Sequence, residues 1–392
     1  MKITDLKTVV VNAEMRNWVF VKVETDQAGL YGWGEASLEW KTRSVVGAVE
    51  DFSPMLVGED PTRIEHLYQK MYRQSFWRVG VIGMSAISGI EQALWDIKGK
   101  WLNQPVYQLL GGAVRDRVRM YTHLGGGEMR AVYESQDSAD PSVFVDRALA
   151  VVGRGYTAVK ALLTPPTEAL NGIAAYKFSE RVMAALRDAL GDGVDIMVDC
   201  HGRHSPANAL EFCRALAPYR PYFIEEPVPP ENVDAMAEVR KASPVPIATG
   251  ERLVTRHEFR PIFEKQACHI IQPDLCHCGG LWEAKKIAAM AEAYFMGVAP
   301  HNPLGPVANA AALHFALSAP NFLIQEDMLT DVPWRWDVVR HDLKTEAGYW
   351  LKNDAPGLGI EVNEEAARKR PFKQEIIHSN TVRAHDGAIL DW

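Results

Sequence analysis

Two rhythms of apolar and polar positions divide the chain. Over the first hundred or so residues, β-branched and aromatic runs at Thr8 to Asn12 and Trp18 to Glu24 read as strands, and the turn residues Thr25-Asp26-Gln27-Ala28-Gly29 return the chain into Tyr31-Gly32-Trp33-Gly34-Glu35. Helical spacing then takes over at Val45 to Met55, at Arg63 to Gln74 behind Asp60-Pro61-Thr62, and at Ser85 to Gly99, where Ile87, Ile90, Leu94 and Ile97 share a face. Strands followed by helices predict an α+β module, bounded by Gly111-Gly112 and assigned to residues 1–113.

Beyond it, short apolar runs alternate with longer helical patterns, the mark of parallel β/α units. The predicted strands are Val118 to His123, Ala158 to Leu162, Val194 to Asp199, Tyr222 to Glu225, Pro246 to Thr249, His269 to Gln272, Phe295 to Ala299 and Phe322 to Gln325. Helices at Tyr176 to Leu190, Ala207 to Leu216 and Leu281 to Tyr294 are among the crossovers. Eight strands predict an α/β barrel over residues 114–330. An open doubly wound sheet competes, but no glycine-rich phosphate loop follows the first strand to favour it. After Glu326 the rhythm stops. Residues 331–392 carry the turn Ala355-Pro356-Gly357-Leu358-Gly359 and a strand-like Ile360-Glu361-Val362, and this tail is expected to fold back onto the first module.

Composition narrows the function classes. With 47% hydrophobic and 23% charged residues the chain is that of a globular protein, and a net charge of -8 without a basic block argues against nucleic acid or an anionic membrane surface as partner. A small acid remains a fitting ligand, because a metal ion reverses the field locally. The cysteines at 200, 213, 268, 276 and 278 make no disulfide framework and suit a reducing compartment. Cys276-His277-Cys278 lacks the second pair that a zinc site needs and reads as packing or loop. Neither a leader pattern nor an apolar run of spanning length is present, so a cytoplasmic protein is expected.

Barrel active sites collect at the carboxyl ends of the strands. There the sequence places Lys160 within the second strand, Asp199 after the third, Glu225 and Glu226 after the fourth, and Glu251 after the fifth. The sixth, seventh and eighth strands end in Asp274, His301 and Glu326. Asp199, Glu225 and Glu251 recur one β/α unit apart, which aims three carboxylates at one point. Such a cluster repels itself unless neutralised, and oxygen-only ligands select a hard cation: Mg2+, with Mn2+ as the alternative. Solvated loop acids are the competing reading. Asp274 beside His301 is the construction of a general base, since an acceptor on one imidazole nitrogen fixes the tautomer and raises the basicity of the other. In extended backbone Asp199 and His201 would face one cavity, setting a second imidazole across from the first.

Asp199-x-His201-Gly202-Arg203, Phe223-Ile224-Glu225-Glu226-Pro227, Gly250-Glu251-Arg252, Gln272-Pro273-Asp274 with Gly279-Gly280, and Ala299-Pro300-His301 with Gln325-Glu326 resemble the enolase superfamily. The subgroup resembled is the mandelate-racemase-like one, and within it the sugar-acid dehydratases; Trp95 to Lys100, Leu109 to Gly112 and Pro356 to Gly359 look like its cap-domain signatures. The resemblance implies a modified TIM barrel, (β/α)7β, with an α+β cap formed by the amino-terminal module and the tail. It implies Mg2+ on Asp199, Glu225 and Glu251, gripping the carboxylate of an aldonic acid of the galactonate type and stabilising an enediolate. It further implies that His301, oriented by Asp274, takes the C2 proton, that His201 protonates the departing C3 hydroxyl, and that Glu326 bonds a carboxylate oxygen. Lys160, Arg203, Trp18 and Asn302 are the expected substrate contacts, and a homo-oligomer, an octamer among the options, is the family habit.

One position departs from the pattern. Where racemases of the subgroup carry Lys-x-Lys, this chain has Lys160-Ala161-Leu162, which disfavours two-base racemisation and favours one-base elimination. Epimerisation or cycloisomerisation on the same scaffold, dehydration of gluconate, arabinonate or an aldarate, a metal-dependent hydrolase and a non-catalytic binding barrel are the rivals. Specificity is expected from cap loops at Glu14 to Trp18, Glu39 to Arg43 and Phe76 to Gly83, with Trp18, Trp40 and Trp77 as walls.

Overall fold

The computed structural model describes residues 1–125, 140–164, 167–328, 331–375, 383–384 and 386–391. The first module is an antiparallel meander of β1 (Ile3–Ala13), β2 (Arg16–Thr25) and β3 (Tyr31–Glu35), followed by α1 (Thr42–Leu56), α2 (Ile64–Gln74) and α3 (Gly80–Leu102). Helix α3 outruns its predicted span at both ends and is buried on nearly all sides, because it lies between the meander and the barrel. Two glycines of β3 permit that packing. A Cβ on Gly34 would stand 2.0 Å from the Gly89 carbonyl oxygen, and one on Gly32 2.0 Å from that of Ala93, so strand and helix meet backbone to backbone.

A short α4 (Val106–Leu109) leads into the barrel. Its strands are β4 (Arg117–His123), β5 (Ala158–Leu162), β6 (Asp195–Asp199), β7 (Ile224–Glu225), β8 (Ile247–Thr249), β9 (Ile270–Ile271), β10 (Gly297–Val298) and β11 (Gln325–Glu326). The helices between them are α5 (Ser142–Val152), α6 (Lys177–Leu190), α7 (Pro206–Leu216), α8 (Val233–Ala242), α9 (Thr255–Glu264), α10 (Gly280–Ala293) and α11 (Pro306–Ser318). β4 to β10 pair in parallel in chain order, β11 pairs with β4, and a Val298 to Phe322 bridge joins β10 to the segment entering β11. The sheet therefore closes, and the fold is the expected α/β one, a (β/α)7β barrel beneath a capping module.

The tail divides its contacts. β12 (Val339–His341) pairs with β15 (Ile360–Val362), while the hairpin β13 (Thr345–Glu346) and β14 (Tyr349–Leu351) adds antiparallel to β4 of the barrel. Farther on, the tail meets the first module: Trp33 Nε1 donates to Glu361, the Lys22 ammonium lies 2.8 Å from Glu364 at the start of α12 (Glu364–Arg368), and the Asn12 N–H donates to the Arg370 carbonyl.

Candidate active site

One layer of side chains explains where the polar groups stand. Tyr121, Ala158, Met197, Phe223, Ala248, Ile270, Ala299 and Ile324, one from each strand or its flank, pack against each other as a buried cluster of their own. They plug the barrel interior. In extended backbone the residue two farther on faces the same way, so the same geometry stacks His123, Lys160, Asp199, Glu225, His301 and Glu326 directly above that apolar plug. Glu251 arrives one residue later than this rule because Gly250, at φ +143°, turns the chain at the end of β8.

Asp199, Glu225 and Glu251 each bring a carboxylate oxygen to within 4.8 Å of the others. Lys160 Nζ, buried in the middle, lies 2.7 Å from Glu326, 3.0 Å from Glu225 and 3.4 Å from Asp199. One ammonium among four acids leaves the cluster short of positive charge. Burial and the Asp199 charge push the Glu225 carboxyl well up, burial and the Glu226 charge do the same to Glu251, and Glu251 Oε2 is buried with no hydrogen-bond partner among the described residues. Burial works against the Lys160 ammonium too, but the Glu225 and Glu326 charges outweigh it and hold its proton firmly. An oxygen-only cluster in this state fits a hard divalent cation, which would let all three acids ionise together.

His301 Nδ1 lies 2.8 Å from Asp274 Oδ2, and its Nε2 lies 3.4 Å from Glu251 at the edge of the carboxylate cluster. Burial alone would lower this imidazole; the Asp274 hydrogen bond and the Glu326 charge overcome it and raise it to about 9. Across the cluster, His201 Nε2 lies 3.4 Å from Asp199 Oδ2. The expected extended path does not persist there. β6 stops at Asp199 and His201 takes φ +53°, with its own N–H donating to Asp199 Oδ1, so a turn and not a strand brings the ring to the cavity. The cavity is about 490 Å³, floored by Lys160, Asp199, Glu251, His301 and Glu326 and roofed from the first module by Met15, Arg16, Leu38, Glu39, Trp40 and Val81.

Residues 2–111 match the family described as mandelate racemase / muconate lactonizing enzyme, N-terminal domain, and residues 143–366 match enolase C-terminal domain-like proteins. The chain belongs to the mandelate racemase and muconate lactonizing enzyme family of the enolase superfamily. A D-galactonate dehydratase of Variovorax paradoxus is 41% identical over 100% of both chains, and one of Ralstonia nicotianae 40% identical over 100% of both. Among solved structures, an enolase from Pantoea ananatis with bound D-gluconate and Mg is 33% identical with a TM-score of 0.88, covering 100% of this chain and 99% of that one. A putative dehydratase from Salmonella is 34% identical with a TM-score of 0.88, covering 94% and 98%.

Within this family member the expected substrate contacts sort unevenly. Lys160 and Glu326 face the cavity, and so does Trp40. Trp18 does not: it is fully buried in the cap against Phe20 and Trp334, while Met15 and Arg16, at the turn that opens β2, reach the cavity. Trp77 stands exposed against Phe76 and is not among the lining residues. Arg203 is buried and donates to the Thr164 carbonyl, off the cavity wall, since the turn after Asp199 points it along the loop. Asn302 is also off the wall, its N–H holding Glu326 and its side chain bonding Asn309.

Two lining histidines went unread. His123 ends the first barrel strand two residues past the plug residue Tyr121, so the strand-end rule places it on the cavity wall. His277, set aside with its cysteine neighbours, reaches the cavity with Nδ1 3.0 Å from Ser85 Oγ, while Cys276 and Cys278 are buried thiols as expected of packing.

Proposed function

We propose that the chain dehydrates an aldonic acid of the galactonate type by removing the C2 proton and the C3 hydroxyl, leaving a 2-keto-3-deoxy acid. By class it is a sugar-acid dehydratase, a hydro-lyase, as are the D-galactonate dehydratases to which it is 40 to 41% identical over its whole length. The observation that carries the finer reading is the carboxylate triad of Asp199, Glu225 and Glu251 flanked on one cavity floor by two imidazoles. The donor set fits Mg2+, which would be held by those three acids; when bound it supplies positive charge beside the substrate carboxylate and opposes the charge that builds up as the C2 proton leaves.

The protein groups divide the proton work. His301 donates Nδ1–H to Asp274, so Nε2 is the end that accepts the C2 proton. His201, on the far side of the triad, supplies a proton to the C3 oxygen, without which hydroxide is a poor leaving group. Lys160, held by its 2.7 Å ion pair with Glu326, offers an ammonium donor to the carboxylate end of the substrate. Leu162 lines the same cavity and has no proton to give or take, which favours elimination with one base over epimerisation.

A panel of stereoisomeric aldonic and aldaric acids, incubated with the protein and Mg2+ and trapped with semicarbazide, tests this. A 2-keto acid from one or a few aldonic acids is expected. Isomerised but undehydrated acid would replace the reading with epimerisation.

A further inference from the structure

The dyad of His301 and Asp274 is assembled from two segments that the barrel sheet no longer holds. The β9 ladder ends at Ile271 and the β10 ladder at Val298, so each dyad member lies three residues beyond its last strand pairing. A local bond shapes the first segment, the Cys276 N–H donating to Asp274 Oδ1, while side chains of β11 hold the second, the Asn302 N–H donating to Glu326 and Gln325 Nε2–H to the Pro300 carbonyl. Something must also set the two segments relative to each other.

The cap supplies a common frame. Gln92 of α3, fully buried, donates its Nε2–H to the carbonyl of Leu275, the residue directly after Asp274, at 2.9 Å. Its Oε1 accepts the N–H of Glu35 at 3.0 Å. Glu35, equally buried at the end of β3, accepts the N–H of Gly305 at 2.7 Å and of Ala308 at 2.8 Å, gripping the loop that runs on from His301 into α11. Gly305 is needed for this grip, since a Cβ there would stand 2.5 Å from Glu35 Oε1. One bonded pair of cap residues thus holds the chain just past both members of a barrel dyad.

We propose that Glu35 and Gln92 are positioning residues for the reaction, fixing from the cap the separation of the His301 imidazole and the Asp274 carboxylate. They touch neither substrate nor the reacting atoms in this account. The inference rests on the dehydratase reading for its kinetic test and on geometry alone for its spectroscopic one. Misplacing a proton-transfer group by about 1 Å costs on the order of 100-fold in rate, so loss of this frame is a rate effect and not a binding effect.

The test compares wild type with Gln92→Leu and Glu35→Gln as full-length proteins, with Gln92→Asn in place of Gln92→Leu if the latter does not fold. Three readouts apply: Mg2+ affinity by calorimetry, the low-field His301 Nδ1–H resonance in protein labelled with 15N-histidine, and kcat and KM on the aldonic acid found active. The expected result is unchanged Mg2+ affinity and KM, a shifted or broadened His301 resonance, and kcat lower by roughly 10- to 100-fold. The deuterium isotope effect on kcat for acid labelled at C2 should rise. A wild-type resonance and kcat in a folded variant overturns the proposal, and so does loss of Mg2+ binding in step with the resonance, which marks general disruption of the floor. Should the wild type dehydrate no aldonic acid, the dehydratase reading fails by itself, and the resonance still decides whether Glu35 and Gln92 position the dyad.

Discussion

His301 Nδ1 and Asp274 Oδ2 stand 2.8 Å apart across neighbouring barrel strands, and this contact leaves Nε2 facing the carboxylate triad, 3.4 Å from Glu251. The Asp274 bond and the surrounding acids lift the ring to about 9 against the effect of burial. Asp274→Asn removes both a charge and the preferred acceptor, so the His301 titration should move down. Histidine 15N shifts across a pH series in metal-free protein check this; an unmoved titration would mean that Asp274 does not govern the ring.

Chelation should abolish turnover and Mg2+ should restore it. Glu251→Gln keeps the size of the side chain and removes a formal charge from the ligand set. Its Mg2+ affinity should fall by at least roughly 10-fold, a loss that outer-shell partners alone are known to cause. Isothermal titration is the measurement, and a wild-type binding curve would take Glu251 out of the set.

Glu91 offers a pH test of stability away from the chemistry. Its carboxylate, buried in α3, accepts the N–H groups of Leu281 and Trp282 at the start of α10 and the indole N–H of Trp95. Burial outweighs these bonds and raises it from 4.5 to about 7. A raised acid favours the folded state while protonated, so its contribution is complete below pH 4.5 and is lost as pH rises through about 7. The loss amounts to roughly 3 kcal/mol over that window. Melting curves should show wild type losing more stability than Glu91→Gln between about pH 5 and 7.5. Parallel losses in the two proteins would place the titration elsewhere.

Much of this was legible in the residues, and the reasons it was or was not are specific. Seven barrel strands stand where apolar runs placed them, since fully buried parallel strands read as continuous apolar stretches, and the eighth, expected at Phe322 to Gln325, pairs only at Gln325–Glu326. Several shrink to two paired residues, as at β7, β9, β10 and β11, because pairing ends where the chain turns to present a side chain. The triad was visible as a regular recurrence of acids after strands. The fate of Trp18 was not, because β2 is buried on both faces from Arg16 to Val21, and the layers that cover it come from distant parts of the chain such as Trp334. Nor was the grip of α3 on the barrel: Ser88, Glu91 and Gln92 interrupt an apolar helix face and read as polar noise until Gly279, Leu281 and Leu275 are seen opposite them.

The most direct measurement of the central claim is turnover by His301→Asn, with Mg2+ binding followed in the same preparation. Wild-type Mg2+ affinity is expected, with a fall in dehydration rate of at least about 1000-fold, the upper part of the range for losing a positioned base. A variant that makes the 2-keto acid at the wild-type rate would contradict it.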